Sequence, residues 1–293
     1  SIMAQENTLK ISEPMCSIIE RIEKNQGKIY NWLVDKECCN ELPLYSSVDI
    51  RDAGFKAAVV DTNLFPAGFN NLCEHGLEDA VKFIKQAIDK RVPGCTDILI
   101  VAEEHTRNTW YLENVRILQD IIAKAGYRVR ITTFLEIQPE FCTSLKYVEL
   151  ETATKNSVKI FCFKRILNDF ESGYDHFDLI ILNNDLTAGI PEVLKDSKVP
   201  IYPSIQAGWH SRHKSHHFNY VNELFQEFGK IVNLDPWLFS CIFEVEDNIN
   251  INNDEDRMRL MRKAQDVMKQ IEAKYQEHQI KENPYLVIKS DSG

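Results

Sequence analysis

The 293-residue sequence lacks an apolar run long enough to cross a bilayer, and its first residues, SIMAQENTLK, lack the basic-then-apolar order of a secretory leader. No membrane or export role is expected, and the reading is a cytoplasmic one. Positive charge is not in excess: 34 Lys and Arg stand against 44 Asp and Glu, for a formal charge of -10. Such a surface repels a phosphate backbone, which argues against nucleic acid as a partner and confines any anion site to a local basic cluster. The eleven glycines form neither GxGxxG nor GxxxxGK(S/T), so the dinucleotide fingerprint and the Walker loop are both missing. No CxxC occurs among the eight cysteines, and Cys162 and Cys241 lie inside the apolar runs KIFCFKR and LFSCIFE. That pattern predicts reduced thiols rather than a disulfide framework, and adjacent Cys38 and Cys39 read first as ordinary buried or surface thiols, with a redox-active pair the less common alternative. Internal repeats and low-complexity blocks are also absent.

What is present is a 44% apolar composition, enough over this length for a sizeable core. Residues 1–47 read as helical, with Ile18, Ile19, Ile22, Ile29, Trp32 and Leu33 at three- and four-residue steps and Pro43 closing the stretch. Strand and helix then alternate. KAAVVDTN reads as a strand, and LEDAVKFIKQAIDKR places Leu77, Val81, Ile84 and Ile88 on one helical face. DILIVAEEH is a strand, followed by a helix carrying Leu112, Val115, Leu118 and Ile122 that Gly126 can stop, then the strand RVRITTF. KYVELET and VKIFCFK suggest an antiparallel pair, and FDLIILNND and VPIYPS two more strands. From Ser215 the chain turns helical through NYVNELFQEFGKIVN and DPWLFSCIF. After the asparagine-rich loop EDNININNDED comes a long helix with Leu260, Met261, Ala264, Val267, Met268, Ile271 and Tyr275 facing inward, and PYLVIKSDSG ends the chain as a strand. The expected fold is α/β: a mainly parallel open sheet with helices on both faces, a helical N-terminal segment and a long helix near the C-terminus. The corresponding division is 1–47, 48–214 and 215–293.

Open α/β sheets bind ligands beyond the carboxyl ends of their strands, where loops diverge and helix N-termini point at the gap. Those ends carry Asp61, Thr62 and Asn63, then Glu103, Glu104 and His105, then Asn183, Asn184 and Asp185. In DTNLFPAGFNNL the side chains of Leu64, Phe65 and Phe69 are expected to anchor the loop, leaving Asp61, Asn63, Asn70 and Asn71 to meet a small polar ligand. Arg51, in SVDIRDAGFK, suits a carboxylate. The stretch GWHSRHKSHHF gathers His210, Arg212, His213, Lys214, His216 and His217. It reads as an anion clamp, as a solvated loop, or, with less support because no Cys or Glu ligand lies near and two fixed cations oppose a third, as a zinc site.

The stretches DIRDAGFKAAVVDTNLFPAGFNNL, LIILNNDLTAGIPEVL, AGWHSRHKSHHF and YLVIKSDSG together resemble the ATP-grasp-like glutamate-cysteine ligase family of proteobacterial type, from about Val48 onward. The resemblance implies ligation of the γ-carboxylate of glutamate to the amine of cysteine, the first step of glutathione biosynthesis. ATP would activate the carboxylate as an acylphosphate and Mg2+ would bridge the phosphates. It implies substrate-binding roles for Arg51, Asp61, Asn63, Asn70, Asn71, Asn183, Asn184, His210, Arg212 and Lys214: arginines on carboxylate or phosphate oxygens, Asp61 on an ammonium group, amides for orientation. Lys289 matches the position where a grasp-type lysine meets ATP phosphate. In the family that strand leads into a glycine-rich loop and a further portion, whereas this sequence stops at Gly293, so the 293 residues alone are expected to be inactive. No catalytic side chain, metal ligand or oligomeric state is assigned. The rival readings are a non-catalytic amino-acid or nucleotide binding module and a histidine-cluster metal-binding protein.

Overall fold

The computed structural model describes residues 13–39, 42–65, 67–104, 107–134, 146–173 and 176–292. By contacts the chain forms two compact units that interleave along the sequence: one from Ser1–Glu41, Val48–Thr62 and Arg212–Gly293, the other from Leu42–Ser47 and Asn63–Ser211. Among the described residues no helix is long and apolar enough to cross a membrane.

The second unit holds the sheet. Its strands are β3 (Asp97–Ala102), β4 (Arg128–Thr133), β5 (Tyr147–Glu151), β6 (Ser157–Cys162), β7 (Leu179–Asn183) and β8 (Ile201–Tyr202), in the order β5-β6-β4-β3-β7-β8. All neighbours are parallel except β5 and β6, the antiparallel pair read from the sequence. Every residue of β3 and β7 is buried, which is why both read as continuous apolar runs. Their side chains alternate between two cores: Ile98, Ile100 and Ile181 join one, Leu99, Val101, Ile180 and Leu182 the other. Helices α3 (Glu74–Arg91) and α4 (Thr109–Lys124) fill the first core with Ile84, Ile88, Leu112, Val115, Leu118 and Ile122. Helices α5 (Phe163–Glu171) and α6 (Glu192–Lys195) fill the second with Ile166 and Leu194, so both faces are covered. Gly126 follows α4 at φ 104°, a left-handed turn that suits glycine and ends the helix as its position suggested.

The first unit contains α1 (Glu13–Lys24), α2 (Gln26–Cys39), a two-stranded sheet of β1 (Ser47–Asp52) and β2 (Ala57–Asn63), α7 (Lys214–Val232) and α8 (Asp254–Glu277). Met15, Ile18, Val232, Trp237, Leu238 and Phe239 form its buried centre. Helix α8 runs 24 residues from Asn253, whose side chain caps the N–H groups of Glu255 and Asp256.

Five expectations are corrected. KAAVVDTN, read as a strand of the main sheet, is β2 of the separate hairpin: SVDIRD is itself extended, and the Asp52 carboxylate accepts from Gly54 N–H at 2.7 Å to shape the turn. DPWLFSCIF is not a helix beyond the short turn Pro236–Leu238, because its carbonyls are used elsewhere: Phe239 accepts from Val59 N–H at 3.4 Å and Ser240 from Lys56 Nζ at 2.6 Å. PYLVIK is irregular rather than a strand, with Tyr285, Val287 and Ile288 exposed and no strand paired with it among the described residues. Met261 is 60% exposed and Leu33 46%, each at the margin of its apolar stripe. Cys162 is disulfide-bonded rather than reduced; its apolar setting speaks to burial, and oxidation depends on which thiol the fold brings near.

Candidate functional site

In the sheet unit, β3 and β7 run side by side with Ala102 opposite Asn183, so their exits adjoin. The polar residues there are spent on one another. Tyr111 Oη accepts from Glu103 N–H at 2.8 Å and reaches the carbonyl and Oδ1 of Asn183, each at 2.9 Å. Burial pushes the Tyr111 phenol far above its usual range, so it remains a donor. Asn184 donates to the Ala102 carbonyl at 3.1 Å and accepts from Leu186 N–H, while Glu103 Oε1 accepts from Asp185 N–H at 2.6 Å. Asn183 and Asn184 are 2% and 4% exposed. In this structure they stiffen the floor of the strand ends.

The loop after β2 is built as its composition suggested. Phe65 is buried in one core, Phe69 packs edge-on to Tyr45 at 5.6 Å against the other, and Asn63 Oδ1 accepts from Phe65 N–H at 2.8 Å. Asn114, invisible to the sequence reading because nothing distinguishes it from a solvated helical amide, ties the loop down. Its Oδ1 accepts from Gly68 and Phe69 N–H at 2.7 and 2.9 Å. Asn70 and Asn71 join at 3.3 Å, and Asn71 is exposed. His210 is exposed beside the β7 exit, its ring folded close to Gly208: a Cβ there would meet His210 Nδ1 at 2.7 Å and the Asp185 carbonyl at 3.0 Å. Gly208 thus permits a close approach that any other residue would block.

In the other unit the structure joins Asp61 to Arg212 as an ion pair, with side chains 29% and 20% exposed. Asp61 Oδ1 also accepts from Thr62 N–H at 3.0 Å. Next to this pair, His217 Nδ1 shares a hydrogen bond of 2.7 Å with Thr62 Oγ1. Burial lowers the His217 pKa, against the opposing pull of the Val59 carbonyl and Asp61, so the ring is neutral at pH 7. Its Nε2 is buried without a hydrogen-bond partner among the described residues. Lys214 and Ser215 open α7, and their N–H groups donate to the Asp291 carbonyl at 2.9 Å and carboxylate at 2.7 Å. His213 Nδ1 lies 3.0 Å from the same carboxylate. Much of the basic stretch is therefore answered by the chain's own acids, Asp61 and Asp291. Arg51 is exposed and makes no ion pair among the described residues.

Among the described residues, the group of three metal-capable side chains is Asp235, Glu277 and His278, apart from the histidine stretch. Lys274 Nζ already binds Asp235 at 2.7 Å and Glu277 at 2.9 Å, so an ammonium stands where a cation would. Burial opposes ionisation of Asp235, but Lys274, His278 and the Trp237 N–H outweigh it and hold the carboxyl down to about 2. Lys289 is exposed on the irregular segment.

A family model described as GshA, glutamate-cysteine ligase, matches residues 20–293. The chain belongs to the glutamate-cysteine ligase family. A crystal structure provisionally described as a gamma-glutamylcysteine synthetase from Methylobacillus flagellatus KT superposes with a TM-score of 0.83 at 33% identity. The match covers 96% of this chain and 65% of that one, so the chain spans less than two thirds of its neighbour's length. No curated protein matches the sequence.

Proposed function

We propose that the chain carries the amino-acid-binding part of an ATP-grasp-type ligase that joins the γ-carboxylate of glutamate to the amine of cysteine. The family match over residues 20–293 carries this reading. ATP would supply the phosphoryl group that activates the carboxylate.

Asp61 and Arg212 suit a zwitterion, since their opposite charges mirror the ammonium and α-carboxylate of an amino acid. An incoming substrate exchanges one ion pair for two: its carboxylate takes the Arg212 fork and its ammonium takes Asp61. Neutral His217 beside them offers a buried acceptor or donor without adding charge. Asn70, Asn71 and His210 remain candidate polar contacts at the strand ends of the sheet unit.

Calorimetric titration of glutamate and of cysteine into the wild type and Asp61→Asn tests this. The substitution is nearly isosteric, so melting stays close to wild type, while loss of a charge-assisted contact worth about 1.5 to 3 kcal/mol weakens binding of one amino acid by about ten- to a hundredfold. Unchanged affinity for both amino acids would remove Asp61 from the site.

A further inference from the structure

Strand β1 is exposed along nearly its whole length: every residue of Ser47–Asp52 after Ser47 is exposed, with Val48 at 50% and Ile50 at 58%. Among the described residues it is one half of a two-stranded sheet, so one edge faces β2 and no other strand pairs with the second edge. Among the described residues no backbone hydrogen bond outside the hairpin reaches that outer edge. An open edge of this kind is a template for another strand unless charge repels it.

The phase of the open edge follows from the turn. Ala53 N–H donates to the Lys56 carbonyl at 3.0 Å, so Ala53, Arg51 and Asp49 turn their backbone groups toward β2. Asp52, Ile50 and Val48 turn theirs outward. A second copy meets this edge about a two-fold axis normal to the sheet, which keeps every side chain on its own face and must pass beside one residue. Beside Asp49, two carboxylates oppose each other; beside Arg51, two guanidinium groups do. Beside Ile50, the two isoleucines meet, Asp49 lies opposite Arg51 of the second copy and the reverse, and Val48 lies opposite Asp52. That register opposes no like charges and matches every outward-facing backbone group of Val48, Ile50 and Asp52 with another.

We propose that β1 pairs antiparallel with β1 of a second copy, on a two-fold axis beside Ile50, so that the two hairpins form one continuous sheet. The alternation of Asp49 and Arg51 decides for a second copy rather than a foreign strand, because self-pairing is what turns these edge charges from protective to attractive. Arg51 is thereby assigned to an interface instead of to a substrate carboxylate. The strands are short and the chain carries a net charge of -10, so the dimer is weak, with a dissociation constant on the order of 10 to 1000 μM.

Sedimentation velocity of the 293-residue chain across a concentration series tests the proposal, with melting temperatures as a check that each variant folds. The wild type shows a reversible monomer–dimer equilibrium. Asp49→Arg and Arg51→Asp each weaken it at least about tenfold, because both symmetry-related pairs become repulsive, and the double variant restores it. Asp49→Asn loosens the dimer modestly. A monomer at every concentration, a dimer indifferent to residues 49 and 51, or tightening by Asp49→Asn, which would move the axis to Asp49, would each overturn the proposal.

Discussion

Glu113 shows how a single residue's role depends on neighbours in space. Its side chain is 4% exposed on α4, with Oε1 accepting from Arg116 Nη2 at 2.6 Å and Oε2 from Thr154 Oγ1 at 2.7 Å. Burial raises the carboxyl's pKa, but the hydrogen bonds from Arg116, Thr152 and Thr154 prevail and bring it to about 2. A folded-state pKa below the ordinary 4.5 means that the stabilisation is complete above pH 4.5 and is lost as pH falls toward 2. Glu113→Gln should therefore cost about 2 kcal/mol at pH 7, toward the low end for a buried pair because Arg116 keeps Asp120 at 2.6 Å. Urea unfolding at pH 7 and pH 3 checks this: the gap between the two proteins narrows at pH 3, and a pH-independent gap would contradict it. The sequence reading singled out neither Glu113 nor Arg116, and Thr154 reaches the carboxylate only because the fold brings it there.

Helix α7 lacks a cap of its own, since His213 at its N-cap makes no side-chain capping bond. The cap comes from Asp291, 76 residues beyond Ser215, which accepts from Ser215 N–H at 2.7 Å and Ser215 Oγ at 3.0 Å. Asp291→Ala should lower stability by about 1 kcal/mol, with Asp291→Asn milder because its amide oxygen can still accept. Amide exchange near residues 214 to 217 should quicken in the alanine variant; exchange unchanged there would deny the capping role. Helices α3 and α4 were legible because one-sided burial imposes a period on each, and strands β3 and β7 because burial on both faces makes each a continuous apolar run. The β1–β2 hairpin and the segment after Pro236 were not, since an extended or apolar run does not name the backbone it will pair with.

At the scale of the molecule, the two units interleave, so consecutive sequence segments do not coincide with contact-defined bodies. The proposed reading expects the 293-residue chain to bind amino acids without turning over ATP. Phosphate release with glutamate, cysteine, magnesium and ATP is the measurement; steady release requiring both amino acids would place a working nucleotide site in this chain. By itself the sequence determined the α/β class, the anchored loop at Phe65 and Phe69 and the ligase resemblance, because these rest on local periodicity and on long matching stretches. Tertiary structure alone decided that Arg212 meets Asp61 across 151 positions, that Asn183 and Asn184 are consumed within the fold, and that Asn114 holds the loop. The reason is physical: a charge or amide takes whichever partner packing delivers, and residues far apart in the chain become neighbours only when the cores close.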